Sequence, residues 1–150
     1  MGARWAAVAI AVAIAVAVLL AACGGGGDDG GDGAKSADQT AIEELMQDFV
    51  AAFEARDADT LVSLFSSDCP RARREIEAAF QELDAAGVDT EIELRGVEVR
   101  SIEGDSASVR VQSALIVDGE EESADRITTQ VVREDGEWKV ADCNFSPEPD

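Results

Sequence analysis

Residues 106–118 read SASVRVQSALIVD, and this stretch decides the fold because its apolar side chains return at every second position. The apolar residues of this set are Val109, Val111, Leu115 and Val117. A period of two is that of a β-strand with one face in the core and the other in water. The stretch therefore predicts a half-buried strand that needs partners beside it and a second layer over its apolar face.

Three further stretches with the same period surround it, at residues 89–101, 123–134 and 137–143. Gly96 marks a bulge in the first of them. The connections contain the Gly and Asp that tight hairpins need for positive φ, and they are Glu103-Gly104-Asp105, Asp118-Gly119-Glu120 and Glu134-Asp135-Gly136. Short connections pair strands in sequence order, which predicts a four-stranded antiparallel meander. Its inner face continues through Ile127, Val131, Trp138 and Val140, and we expect only Ser113 and Thr129 as polar groups there.

Three amphipathic helices are predicted before the sheet. The first has an apolar stripe at helical spacing, formed by Ile42, Leu45, Met46, Phe49 and Phe53. Thr40 and Glu43 have the spacing of a capping box for it, with Asp38 as the alternative cap. An aspartate of Arg56-Asp57-Ala58-Asp59 can cap a short second helix at residues 60–66. Pro70 suits the first position of a third helix, which Gly87 would end. Helices on one face of an antiparallel sheet make an α+β fold.

The amino-terminal segment resembles the signal of a bacterial lipoprotein. Arg4 precedes 18 residues without a charge, and these lead into Leu20-Ala21-Ala22-Cys23, which resembles the lipobox of that family. In the family a peptidase cuts before the cysteine, whose thiol carries diacylglycerol and whose amine takes a fatty acid such as palmitate. The resemblance implies a signal peptide at residues 1–22 and lipidation of Cys23 at the extracytoplasmic face of the cell membrane. An uncleaved anchor is the alternative, because 18 apolar residues can span a bilayer.

Composition divides the remainder into a tether, a domain and a tail. Residues 23–37 are rich in Gly and Asp and predict a flexible, solvated tether. Residues 38–145 form the domain, and 146–150 a frayed tail. The net charge of −20 argues against a nucleic-acid partner and against adsorption to anionic headgroups. Attachment to the membrane would therefore depend on the acyl chains.

The chain has three cysteines. If Cys23 carries lipid, Cys69 and Cys143 remain as an even pair in an oxidising compartment, which predicts a disulfide, with two buried thiols as the alternative. Strict alternation places Cys143 opposite Trp138 and Val140, so the disulfide requires the last strand to end or bulge first. The chain has no histidine and no C-x-x-C spacing, so no metal site and no cofactor are predicted.

The order of elements over about residues 38–145 resembles the NTF2-like superfamily, in the form found in exported actinobacterial lipoproteins. The similarity includes a short helix ending in Asp68-Cys69-Pro70 and a meander closing on Gly136-Glu137-Trp138-Lys139-Val140. The resemblance implies a cone, whose curved sheet wraps the long helix around a pocket, and a homodimer through the sheet. Enzymes of the superfamily place Asp, His, Tyr or Arg inside the cone, and this chain has neither His nor Tyr.

We therefore expect a non-catalytic module of the cell envelope, held by its lipid anchor, that binds a small apolar ligand or an envelope protein. The alternative is an isomerase or dehydratase that uses a buried carboxylate such as Asp48 or Asp142. A third interpretation makes the outer sheet face an interaction surface, formed by Arg110, Gln112, Ile116, Thr128, Gln130 and Val132. The basic cluster Arg71, Arg73 and Arg74 predicts internal ion pairs or, alternatively, an anion site.

Overall fold

The computed structural model describes residues 36–143. The predicted signal peptide, the lipobox residues Leu20, Ala21 and Ala22, the lipidation site Cys23, residues 23–35 of the tether and the tail lie outside the described residues. Within residues 36–143, every helix is too short or too polar to cross a bilayer.

Three helices precede one four-stranded sheet. The elements are α1 (Ala37–Glu54), α2 (Ala58–Ser63), α3 (Ala72–Ala86), β1 (Thr90–Glu103), β2 (Ser106–Val117), β3 (Glu120–Glu134) and β4 (Glu137–Val140). The strands pair antiparallel in the order β1-β2-β3-β4. The predicted α+β fold with a four-stranded meander is confirmed.

The cap of α1 lies one turn earlier than the sequence predicts. The Ser36 hydroxyl accepts a hydrogen bond from the Gln39 amide, and the Gln39 side chain accepts one from the Ser36 amide. The capping box is therefore Ser36 with Gln39, and the prediction of Thr40 with Glu43 is wrong. Both pairs have the right spacing, and the earlier one adds a turn of helix that places Asp38 at the positive end of the dipole.

The other helix boundaries follow local chemistry. An aspartate caps α2 as predicted, and it is Asp57, so the helix covers Ala58–Ser63 rather than residues 60–66. Hydrogen bonds from the Thr60 hydroxyl and amide lower the pKa of the Asp57 carboxyl. The third helix begins at Ala72, two residues after Pro70, because turns held by Cys69 N–H to Ser66 O and by Ala72 N–H to Cys69 O occupy that segment. Gly87 ends α3 with φ 65°, as its position predicts.

Strand β1 contains two bulges, between Leu94 and Gly96 and between Val99 and Ser101. Each bulge inserts one residue and so reverses the parity of the strand. As a result the core-facing side chains are unevenly spaced, at Ile92, Leu94, Val97, Val99 and Ile102. The bulge at Gly96 was predicted from the sequence, whereas the second was not.

The core lies between the helices and the inner sheet face. The apolar stripe of α1 packs there, with Phe49 edge-on to Phe65 at 5.8 Å between ring centroids. At the start of α1, Asp38 accepts hydrogen bonds from the Arg133 guanidinium and from Trp138 Nε1. Arg133 also lies over the Trp138 ring at 4.7 Å. These contacts hold the amino end of α1 on the far end of the sheet.

The Cys69–Cys143 disulfide is present, with its two Cα atoms 5.2 Å apart. Strand β4 ends at Val140 rather than at residue 143, so the alternation that opposed the bond does not extend to Cys143. Beyond β3, β4 pairs with the segment after α2, because Ser66 N–H donates to Val140 O and Val140 N–H donates to Leu64 O, both at 2.8 Å. The disulfide therefore closes a junction that backbone hydrogen bonds already form.

Candidate functional site

An open cleft lies between the middle of α1 and the inner face of the sheet. Met46, Phe49 and Val50 of α1 form its roof. The remaining apolar lining comes mostly from β1 and β2, and consists of Ile92, Leu94, Val111, Ala114, Leu115 and Val140. Ser113, Ser123 and Asp125 supply its polar atoms. The lining of the cleft is therefore mostly apolar, with three polar residues.

Strand register gathers those polar residues on one wall. One row across β1, β2 and β3 reads Leu94, Ser113, Asp125, and the next row reads Ile92, Leu115, Ser123. Directly opposite residues of an antiparallel pair have Cβ atoms about 5 Å apart. Ser113 and Asp125 are such a pair, and Ser123 lies on the same face of β3 as Asp125. The β2–β3 wall thus presents two hydroxyls and one carboxylate together.

The cleft changes character from its interior to its mouth. Met46, Phe49, Val111 and Val140 are buried, whereas Asp125 is exposed and Ser113 and Ser123 are half-buried. The space between the side chains is about 610 Å³ with the open mouth included. The interior is therefore apolar, and the polar groups lie where a bound molecule would meet solvent.

The three polar side chains have no partners of their own. The side chains of Ser113, Ser123 and Asp125 make no hydrogen bond or ion pair with another residue between Ser36 and Cys143. The nearest basic residue in sequence, Arg126, belongs to the opposite face of β3 because side chains alternate along a strand. Among the described residues 36–143, no cationic side chain is therefore paired with the carboxylate at the mouth.

Two side chains at the end of α1 fix the adjacent wall. Glu54 Oε1 accepts a hydrogen bond from the Ile92 amide at 3.2 Å, which satisfies a backbone donor on the edge strand β1. Arg56 donates to Val88 O at 3.3 Å and to Thr90 Oγ1 at 3.2 Å. These hydrogen bonds join the end of α1 to the start of β1. They therefore fix the position of α1 over the inner face of the sheet.

The predicted inner-face polar residues are only partly correct. Ser113 lines the cleft as expected, but Thr129 is fully buried outside it, and its hydroxyl has no partner among residues 36–143. Ser123 and Asp125 were missed, although counting back by twos from Ile127 places both on the inner face. The buried apolar residues of β3 begin only at Ile127. Because the first part of the strand is polar, its sequence does not show which residues face the core.

The acids proposed from sequence lie elsewhere. Asp48 is exposed on the solvent side of α1, and Asp142 is buried after β4, next to the disulfide; neither lines the cleft. Within the part of the chain that the structure describes, no group of three or more His, Cys, Asp or Glu side chains could hold a metal ion.

The basic cluster before and within α3 is largely paired. Arg73 contacts Asp59 at 2.7 Å and Glu77 at 3.3 Å, which raises the pKa of its guanidinium, and Arg74 contacts Glu75 at 3.1 Å. Internal ion pairing therefore describes these two residues better than an anion site.

The predicted interaction surface is a real surface of the sheet. Its six residues Arg110, Gln112, Ile116, Thr128, Gln130 and Val132 are all half-buried on the outer face. Two of them pair with neighbours on the same face, since Arg110 lies 3.6 Å from Glu98 and the Gln112 amide oxygen accepts hydrogen bonds from the Arg126 guanidinium at 2.9 Å. The face has the mixed polar and apolar character expected of it.

Solved structures of similar fold include proteins described as NTF2-like or cystatin-like. An NTF2-like protein with a cystatin-like fold from Novosphingobium aromaticivorans aligns with a TM-score of 0.58 at 21% identity, over 69% of this chain and 77% of that one. A protein of unknown function from Mycobacterium tuberculosis gives 0.57 at 16% identity, over 69% and 68%. A protein provisionally described as a scytalone dehydratase, from N. aromaticivorans, gives 0.53 at 22%, over 69% and 78%. At these identities the likeness shows the fold alone.

No curated protein matches the chain. One family model does match, over residues 44–146, and it is described as anti-sigma-I factor RsgI9, C-terminal domain. The matched range runs from the middle of α1 past the end of β4, and it includes every residue that lines the cleft. The chain therefore belongs to the family of the anti-sigma-I factor RsgI9 C-terminal domain.

Proposed function

We propose that this protein is a lipid-anchored, extracytoplasmic binding module of the cell envelope, and that the cleft between α1 and the sheet holds its ligand without chemical change. The observation that carries the proposal is the lining of the cleft. Nine of its twelve residues are apolar, and the three polar ones form one cluster at the mouth. Small-molecule sites in proteins typically have this mostly apolar lining with a few convergent polar groups.

The proposed address depends on Leu20-Ala21-Ala22-Cys23, and the disulfide supports it. Disulfides persist mainly in oxidising compartments, so a chain that joins Cys69 to Cys143 fits export. The family is named after an anti-sigma factor, but the match is to the C-terminal domain of that protein and covers residues 44–146 of this chain. The proposed binding function therefore depends on the cleft, and sigma-factor binding is not part of it.

Lipidation can be tested on the full-length protein expressed in bacteria with an alkyne analogue of palmitate. The protein should take up the label, fractionate with membranes and lose residues 1–22 by mass spectrometry. Cys23→Ser should abolish labelling and cleavage, whereas Cys143→Ser, the matched control, should leave both intact. Label-free wild-type protein in the cytosol with its leader uncut would contradict the proposed address.

Binding in the cleft can be tested with Nile red, an uncharged apolar dye whose fluorescence rises in apolar surroundings. The wild-type protein should enhance the fluorescence, and Ser113→Phe, which fills the cleft from its floor, should remove the enhancement. Thr128→Phe introduces the same ring on the opposite sheet face and should behave like wild type. If Ser113→Phe binds the dye as the wild type does, the cleft is not the site.

A second candidate function is catalysis, because the cleft contains an acid, Asp125, between two hydroxyls. The isomerase or dehydratase alternative would now use Asp125 rather than Asp48 or Asp142. Untargeted mass spectrometry of an envelope extract incubated with wild-type protein or with Asp125→Asn distinguishes the two functions. Catalysis predicts compounds that wild type consumes and the variant does not, whereas a binding module leaves both extracts alike.

The expected homodimer, or an envelope-protein partner, would use the outer sheet face. That face offers half-buried Ile116 and Val132 beside polar neighbours. We also propose the cone shape implied by the NTF2-like resemblance. Its support is the two bulges in β1, since bulges bend a strand. Light scattering of the full-length protein should give twice the mass of the chain, and Val132→Lys should return it to the mass of one chain.

A further inference from the structure

We infer that the ligand of the cleft carries a protonated primary amine next to an apolar body, and that Asp125 binds the ammonium group. The inference rests on the proposed binding function and adds the chemical class of the ligand. It starts from the β2–β3 wall, where Asp125 stands directly opposite Ser113 and two residues along β3 from Ser123, and all three line the cleft.

Charge decides between a cationic and an anionic ligand. Asp125 has no cationic partner among residues 36–143, and the chain carries a net charge of −20. A carboxylate or phosphate in the cleft would meet an unneutralised negative charge at its mouth, which costs free energy. A cation there gains the Coulomb attraction and is also favoured by the acidic surface around it.

Hydrogen-bond chemistry narrows the cation to an ammonium. A primary ammonium has three N–H donors and no acceptor, and the wall offers three acceptor groups, the Asp125 carboxylate and two serine hydroxyls. Ca²⁺ would require six to eight oxygen ligands, and three side chains of this wall supply too few of them. The number of acceptors therefore fits an ammonium.

The apolar body of the ligand is inferred from the buried, apolar part of the cleft. Val111 lies two residues along β2 from Ser113, is buried on the same face and lines the cleft together with Phe49. Two residues of a strand span about 7 Å, so an unbranched chain of about six carbons reaches from the carboxylate into the buried part of the cleft. The ligand is thus an amphiphile with a cationic head near solvent and an apolar tail inside.

The test uses three probes with the same six-carbon tail, hexylamine, hexanol and hexanoate. Their binding to the full-length protein is followed by amide chemical shifts in NMR titrations at neutral pH. The protein should bind hexylamine at least tenfold more tightly than hexanol, and hexanoate more weakly than either. Shift changes should centre on β2 and β3 next to the cleft.

Two variants connect the preference to the carboxylate. Asp125→Asn keeps the size of the side chain and should abolish the tenfold preference for hexylamine over hexanol. Glu91→Gln removes the same charge from an exposed site on the outer face of β1 and should keep the preference. If Asp125→Asn does not fold, Ser113→Ala should still weaken hexylamine binding severalfold and leave hexanol binding unchanged.

The outcomes separate this inference from the function on which it rests. Equal binding of all three probes in the cleft would keep the binding function and overturn the amine. Retention of the preference in Asp125→Asn would also overturn it. Failure of every probe and of Nile red to bind would instead overturn the binding function itself.

Discussion

Removal of the Cys69–Cys143 disulfide should lower the free energy of unfolding by about 4 kcal/mol. The bond joins residues 74 positions apart, and for a loop of that length the chain-entropy model gives about 4.5 kcal/mol at 25 °C as a ceiling. The effect arises in the unfolded chain, because in the folded protein hydrogen bonds between Leu64, Ser66 and Val140 close the same loop without the sulfurs. A loss of this size should lower the melting temperature by about 15 °C or more.

The measurement is urea unfolding, followed by tryptophan fluorescence, of the full-length protein in a Cys23→Ser background, so that only two sulfurs remain. The oxidised protein is compared with the reduced protein and with the Cys69→Ala, Cys143→Ala double variant. The reduced protein and the double variant should agree within about 1 kcal/mol, and a reductant should not affect the double variant. A difference below about 1 kcal/mol between oxidised and reduced protein would refute the loop-entropy reasoning.

Three further perturbations test local features. Thr129→Val removes a buried hydroxyl that has no partner among residues 36–143, and should raise the free energy of unfolding in urea by about 1 kcal/mol; a loss would show that the hydroxyl is satisfied. Gly87→Ala should cost about 1 kcal/mol in the same assay, because φ is 65° there while nothing lies within 4 Å of the new methyl group; an unchanged value would refute the backbone argument. The hydroxyl of Ser66 and the amide of Ser67 lower the pKa of Glu134, so its stabilisation is present above the ordinary pKa and is lost as pH falls through the lowered folded pKa. Glu134→Gln should therefore flatten the acid side of the stability profile measured by thermal unfolding, and an unaltered slope would contradict this.

The local sequence pattern was sufficient to predict the helices and strands and their order. Alternation in residues 106–118 and Gly-containing turns predicted the meander, because side-chain period and turn conformation are properties of a few adjacent residues. A cap by an aspartate of residues 56–59 and the end of α3 at Gly87 were predicted for the same reason. The Ser36 cap was missed because two capping patterns compete within one turn, and helix length decides between them.

The cleft depended on information that no short stretch contains. Asp125 stands in a wet part of β3 without an apolar pattern, and only its register with Ser113 and the position of α1 above them place it at a binding surface. The second bulge in β1 is similar, since it is the packing of Val97, Val99 and Ile102 on the core that requires the change of parity.

The sequence by itself determined the α+β class and the strand order, because these follow from periodicity and turn chemistry, whereas the Cys69–Cys143 bond was a prediction that depended on where the last strand ends. Only the tertiary structure decided where β4 ends, which acid faces the cleft and which polar groups have no partner. Those features depend on contacts between residues far apart in the chain, such as Cys69 with Cys143 and Glu54 with Ile92, and their geometry exists only once the helices lie on the sheet.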